Sequence, residues 1–149
     1  MSSLSAQIAH RIAAHVRGAG NDIAYRTPIV GFARASDPRF DELAVRIPGH
    51  LHPRDLLPNA QSVCAFFLPF AESVVLDNKA GDAASAGWAR AYVETNALLG
   101  EICRTLVGAL SEVGVAAAWE APTHDFDPVR LVSAWSHKSV AALAGIGAF

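Results

Sequence analysis

Apolar residues recur at helical spacing in two long stretches of the chain. Leu4, Ile8, Ile12 and Val16 form one stripe with Gln7, Arg11 and Arg17 off it, which predicts an amphipathic helix stopped by Gly18 and Gly20. Ala86 to Val113 keep the period for about seven turns, with Trp88, Tyr92, Leu99, Ile102, Leu106 and Leu110 on one broad face and Gly114 as the stop. This is the longest helix expected and the spine of the core, and Gly100 and Gly108 point to close packing against another element. Ile29 to Arg34 (IVGFAR) reads as a strand whose Gly31 marks either a bulge or a close approach by a ligand. Ser62 to Leu68 (SVCAFFL) is a continuous apolar run between prolines, the pattern of a central strand covered on both faces. Val115 to Trp119 (VAAAW) is apolar enough for a second buried strand.

Local punctuation places the shorter elements. Asp37-Pro38 and His52-Pro53 both suit helix starts, because proline fits the first helical turn and aspartate can cap it. Asp77 to Ser85 is polar and turn-rich, a surface loop. Asp127-Pro128 reads as a cap and first residue of a short helix to Trp135; the cluster His124, Asp125, Asp127 leaves a metal reading beside it. Ser136 caps a helix from His137 to Ala144, with Gly145 as its left-handed stop. His50 and His52, two apart, read as surface-loop histidines, with paired metal ligands as the alternative. The expected fold is one α/β (α+β) domain, with three to five helices flanking a small mixed or antiparallel sheet.

Composition narrows the function. The 149 residues carry a net charge of -2 without charged blocks, which gives no footprint for nucleic acid or an anionic membrane. The first apolar segment is broken by His10, Arg11, His15 and Arg17, so it does not read as a signal peptide, and no apolar run is long enough to span a bilayer. A cytoplasmic protein is expected. Two cysteines, Cys64 in a strand and Cys103 in a helix, read as buried thiols and are too few to hold a [4Fe-4S] cluster in the ferredoxin manner.

The last residues, WSHKSVAALAGIGAF, with HPRDLLPNAQSVCAFFLPF upstream and the helix around Tyr92 to Asn96, resemble a family of corrinoid iron-sulfur reductases. That family includes epoxyqueuosine reductases and reductive dehalogenase-like proteins, and the resemblance runs from about Pro28 onward. It implies a nitroreductase-like core and a bound corrinoid (cobalamin). It also implies a later ferredoxin-like segment with two [4Fe-4S] clusters, so the chain reads as an N-terminal part that is inactive alone. Its partners are then the corrinoid and a small-molecule or modified-nucleoside substrate.

The chemistry divides accordingly. Ser136, His137 and Lys138 stand at a helix N-terminus, where free N–H groups and the dipole favour the amide fringe and phosphate of a corrinoid; the alternative is a capped, solvated surface helix. Gly145 and Gly147 provide room for close approach of a ring or backbone. Tyr92 and Asn96, four apart, share a helix face. The resemblance implies a phenol or carboxylic acid as proton donor, which falls on Tyr92 and on Asp127 or Asp125, with Asn96 beside the cofactor. For Tyr92 the competing reading is a core tyrosine with a hydrogen-bonded tip. Two other classes stay open: a dimerising interaction domain, and a flavin-dependent reductase.

Overall fold

The structure, a computed structural model, describes residues 3–79, 82–121 and 126–148. It is a small mixed α/β fold with a two-stranded antiparallel sheet, β1(Ile29–Arg34) and β2(Ser62–Phe67). Six helices accompany it among the described residues: α1(Leu4–Arg17), α2(Arg39–Arg46), α3(Pro53–Leu56), α4(Glu72–Lys79), α5(Ala86–Glu112) and α6(His137–Leu143). The chain forms two compact units, one from Met1–Ile29 with Leu68–Leu106 and one from Val30–Phe67 with Val107–Phe149.

In the first unit, local chemistry sets the helix ends. The Ser3 side chain accepts from the Ala6 N–H, and the Gly18 N–H closes α1 on Ala14 and Val16. Ser85 opens α5 in the same way: its hydroxyl accepts from the Trp88 N–H at 3.0 Å and donates to Asp77 at 2.7 Å. Asp77 belongs to α4, which takes up the first part of the stretch expected to be a loop.

α5 buries part of the expected face, Ile102, together with positions beside it. Ala91, Thr95, Leu98, Gly100 and Ile102 are inside, whereas Tyr92 is 62% exposed. Ile102 belongs to both stripes, whereas the buried Ala91 and Leu98 lie one position, about 100° on the helix, from Tyr92 and Leu99. Thr95 explains part of the choice. Its hydroxyl meets that of Tyr25 at 2.7 Å, and Tyr25 stacks on Phe70, which in turn meets Trp88 edge-on. The backbone of Ala24 to Arg26 pairs with Pro69 to Ala71, which presents Tyr25 and Phe70 to α5. The core tyrosine with a bonded tip is Tyr25, and Tyr92 is a surface residue. Gly108, beyond this unit, has open space around it rather than a packed neighbour.

In the second unit, α6 lies on β2. The core joins Ala33, Phe40, Leu43, Trp135, Val140 and Ala144, with Val63, Ala65, Leu51, Leu56 and Leu143 against it. Alternation along β2 turns Val63 and Ala65 toward this core and leaves Cys64 exposed, which corrects the expectation of a buried thiol. Among the described residues the strand has one partner, β1, and Phe67 is 53% exposed, so it is an edge strand there and not a central one. Gly31 is a close-approach position. A Cβ there would overlap the Ala144 carbonyl and the Ile146 side chain, so α6 and its exit occupy the space left open for a ligand wall.

Two further expectations change. Residues 115–119 run without regular structure and find no ladder partner among the described residues, so the expected second strand is not formed there. Residues 128–135 are not a helix. The Asp127 carboxylate accepts from the Val129 and Arg130 N–H groups at 2.9 and 3.0 Å, as a cap would, but the Asp127 N–H then donates to the Val132 carbonyl at 2.7 Å and closes a turn. Leu131, with φ of 56°, completes the reversal. The short helix starts after Asp37 and His52 do form.

Candidate functional site

The residues singled out from the sequence fall into separate groups. On α5, Asn96 donates through Nδ2 to the Tyr92 carbonyl at 2.9 Å, so its amide is engaged with the helix backbone. On α6, Ser136 is the cap: its hydroxyl accepts from the Ser139 N–H at 3.3 Å and donates to the Ser139 hydroxyl at 2.9 Å. His137 and Lys138 follow in the first turn, both exposed, with the His137 ring 3.5 Å from the Ala121 carbonyl. Gly145 takes φ of 77° and ends the helix as expected; Gly147 has open space on its Cβ side. A seven-residue helix is about 10 Å long, so the glycines stand at the opposite end of α6 from Ser136. Asp127 sits in its own turn, where the N–H groups of Arg130 and Val129 hold its carboxyl below the usual carboxylate range. His124 and Asp125 lie outside the described residues.

The residue that sequence reasoning misplaced is His50. It is 5% exposed, not a surface-loop side chain. The turn Ile47-Pro48-Gly49-His50 delivers it: the His50 N–H donates to the Ile47 carbonyl at 2.9 Å, proline fills the second position, and Gly49 has φ of 92°. The ring stacks on Trp135 with centroids 5.6 Å apart. Its Nε2 lies 3.0 Å from the Ser136 N–H and its Nδ1 2.8 Å from the Leu51 carbonyl. A backbone N–H can only donate, so Nε2 is the acceptor and the proton is on Nδ1. Burial pushes the His50 pKa below its ordinary value, against the pull of the Leu51 carbonyl. The Leu51 N–H donates to the Ala134 carbonyl at 2.8 Å and completes the clamp on residues 134–136. The signal available in the sequence was the Pro48-Gly49 turn directly before a histidine.

His52, by contrast, caps α3. Its Nδ1 accepts from the Arg54 N–H while the Asp55 carboxylate accepts from the His52 N–H. The two histidines therefore have separate structural tasks. Among the described residues, no three His, Cys, Asp or Glu side chains come close enough together to hold a metal ion.

The first unit also has a cleft of about 400 Å³, lined by the end of α1 (His15, Gly18) and by Arg90, Glu94, Leu98 and Glu101 of α5. Its charged groups are mutually engaged. Arg90 donates to Glu94 at 2.6 Å and to Asp22 at 3.1 Å, and His15 lies 3.3 Å from Glu101. None of Tyr92, Asn96, Asp127, Ser136, His137, Lys138, Gly145 and Gly147 lines it.

Comparison with protein-family models, with curated proteins and with solved structures finds no match to the chain. Fold class and local geometry therefore define it as an α/β protein with a clamped, capped helix. No helix among the described residues is long and apolar enough to cross a membrane.

Proposed function

We propose that the chain is the N-terminal part of a cytoplasmic reductase similar to the epoxyqueuosine reductases and reductive dehalogenase-like proteins, and that it contributes to binding a corrinoid. The observation that supports this reading is the first turn of α6. Ser136 satisfies the cap, and His137 and Lys138 remain exposed as donors at the positive end of the helix. That donor set fits the amide fringe and phosphate of a corrinoid. When bound, a corrinoid supplies a low-potential metal centre for reduction of the substrate. The chain's own part is to bind and orient it: Ser136 orders the turn, while His137 and Lys138 hold acceptor groups. Gly145 and Gly147 are proposed to allow close approach at the far end of α6. Proton donation by Tyr92 and Asp127 and a cofactor contact by Asn96 rest on the resemblance alone. The reading includes a nitroreductase-like core, of which the mixed α/β fold is the coarser part. It also places the [4Fe-4S] clusters outside these 149 residues, because a cluster needs about four thiolates and the chain has 2 cysteines.

Titration with cobalamin, followed by its absorption spectrum, tests the proposal. The expected result is a saturable change that weakens in His137→Ala and Lys138→Ala. No change at any concentration sinks it.

A second reading, a dimerising interaction domain, is favoured by a different observation. Val45, Val129 and Leu131 are 81%, 89% and 73% exposed, and Phe67 and Tyr92 are also on the surface. A stable dimer by light scattering without a cobalamin response supports it, and a monomer at all concentrations removes it.

A further inference from the structure

We infer that His50 is a positioning residue for the first turn of α6, acting as the neutral Nδ1–H tautomer, and that its protonation releases that turn. The clamp has three members. The Ser136 N–H needs an acceptor at Nε2, the Nδ1–H needs the Leu51 carbonyl, and the ring lies flat against Trp135. Adding a proton to Nε2 sets two donors against each other at 3.0 Å and places a cation in a site that is 5% exposed.

Burial lowers the His50 pKa and the Leu51 carbonyl alone opposes it, so among the described residues no charged side chain figures in the shift. Among the described residues, the ionisable groups on the elements around it include His137 and Lys138 in α6, which are exposed, His52, Arg54 and Asp55 at the start of α3, and Asp41 of α2, whose carboxylate lies 4.0 Å from the His52 ring. The far end of α6 does not depend on this contact. Val140 and Ala144 are anchored in the core, and the Ala144 N–H is bonded to Val140 at 2.9 Å. Release is therefore confined to Ser136, His137 and Lys138. The clamp stands on geometry alone; its consequence for a bound cofactor rests on the corrinoid reading.

The test uses the full chain. Nitrogen NMR of the histidine rings at pH 7.5 is expected to show His50 as the Nδ1–H tautomer. Amide exchange, corrected for intrinsic rates, is expected to show protection at Ser136 falling by roughly threefold or more between pH 7.5 and 5 while protection at Ala144 holds. His50→Gln offers a side-chain carbonyl acceptor that gains no proton, and is expected to remove this pH dependence. An Nε2–H tautomer, or equal Ser136 protection at both pH values in the wild-type protein, overturns the inference even if the variant does not fold. Cobalamin titration at the same two pH values reads the functional consequence separately. An absent cobalamin response with a pH-dependent Ser136 amide removes the corrinoid reading and leaves the clamp.

Discussion

Gly31 of β1 faces the carbonyl of Ala144 so closely that a single methyl group has no room between them. The obstruction on that side is backbone, which cannot swing away as a long side chain can. Gly31→Ala is therefore expected to lower stability by about 1–3 kcal/mol through forced displacement of α6 from the sheet. Urea unfolding followed by tryptophan fluorescence measures it. Gly108→Ala, with open space around its Cβ position, is the matched control and is expected to be neutral or slightly stabilising.

Tyr25 and Thr95 share a hydroxyl contact of 2.7 Å, and Thr95 is 8% exposed. Tyr25→Phe leaves the Thr95 hydroxyl without its partner and is expected to cost about 1–2 kcal/mol. Adding Thr95→Val removes the orphaned group and is expected to recover part of that loss. A double-mutant cycle in urea reads the coupling, and strict additivity of the two changes would contradict the hydrogen bond.

The pH dependence of stability should show two separate declines. His50 has a folded pKa depressed below 6.5, so the unfolded chain binds its proton first; stability is full above about 6.5 and falls as pH drops toward the folded value. Asp37 is held at about 2 by the Arg39 guanidinium and N–H, against 3.8 when unperturbed. Its contribution is present above 3.8 and lost as pH falls to about 2. His50→Gln is expected to erase the first decline in urea midpoint and leave the second. Arg39→Gln is expected to shrink the second and leave the first, because the residue-39 N–H still bonds Asp37 and Asp127, also held below the usual carboxylate range, contributes to the same acid decline.

The two thiols should separate by reactivity. Cys64 is exposed on β2, whereas burial pushes the Cys103 thiol up and lowers its thiolate fraction. Ellman's reagent at pH 8 is expected to give a fast phase and a slow phase of equal amplitude. Cys64→Ser is expected to remove the fast one, and loss of the slow phase in that variant would refute the assignment.

Several helix boundaries, though not those of α4, were legible because their causes are local. Gly18, Pro53, Ser136 and Gly145 each start or end a helix through groups within a few residues of themselves. Asp127 shows where that reading stops. Its carboxylate binds the next N–H groups as a cap does, yet the same two bonds also open a tight turn, and only the return contact with Val132 distinguishes the two. The proposed site was legible in the same partial sense: Ser136 is a cap and His137 and Lys138 follow it, but their support by His50 was not.

What the sequence determined by itself was the mixed α/β class, the positions of α1, α5 and α6, and the two strands, because period and capping are properties of neighbouring residues. Tertiary structure alone decided which stripe of α5 faces inward, that Cys64 points outward, that Gly31 receives α6, and that His50 is buried against Trp135 and Ser136. Each of these depends on a partner distant in the chain: Thr95 on Tyr25, Gly31 on Ala144, His50 on Ser136. A broad apolar face or a solitary histidine admits several registers, and packing with satisfied hydrogen bonds selects among them.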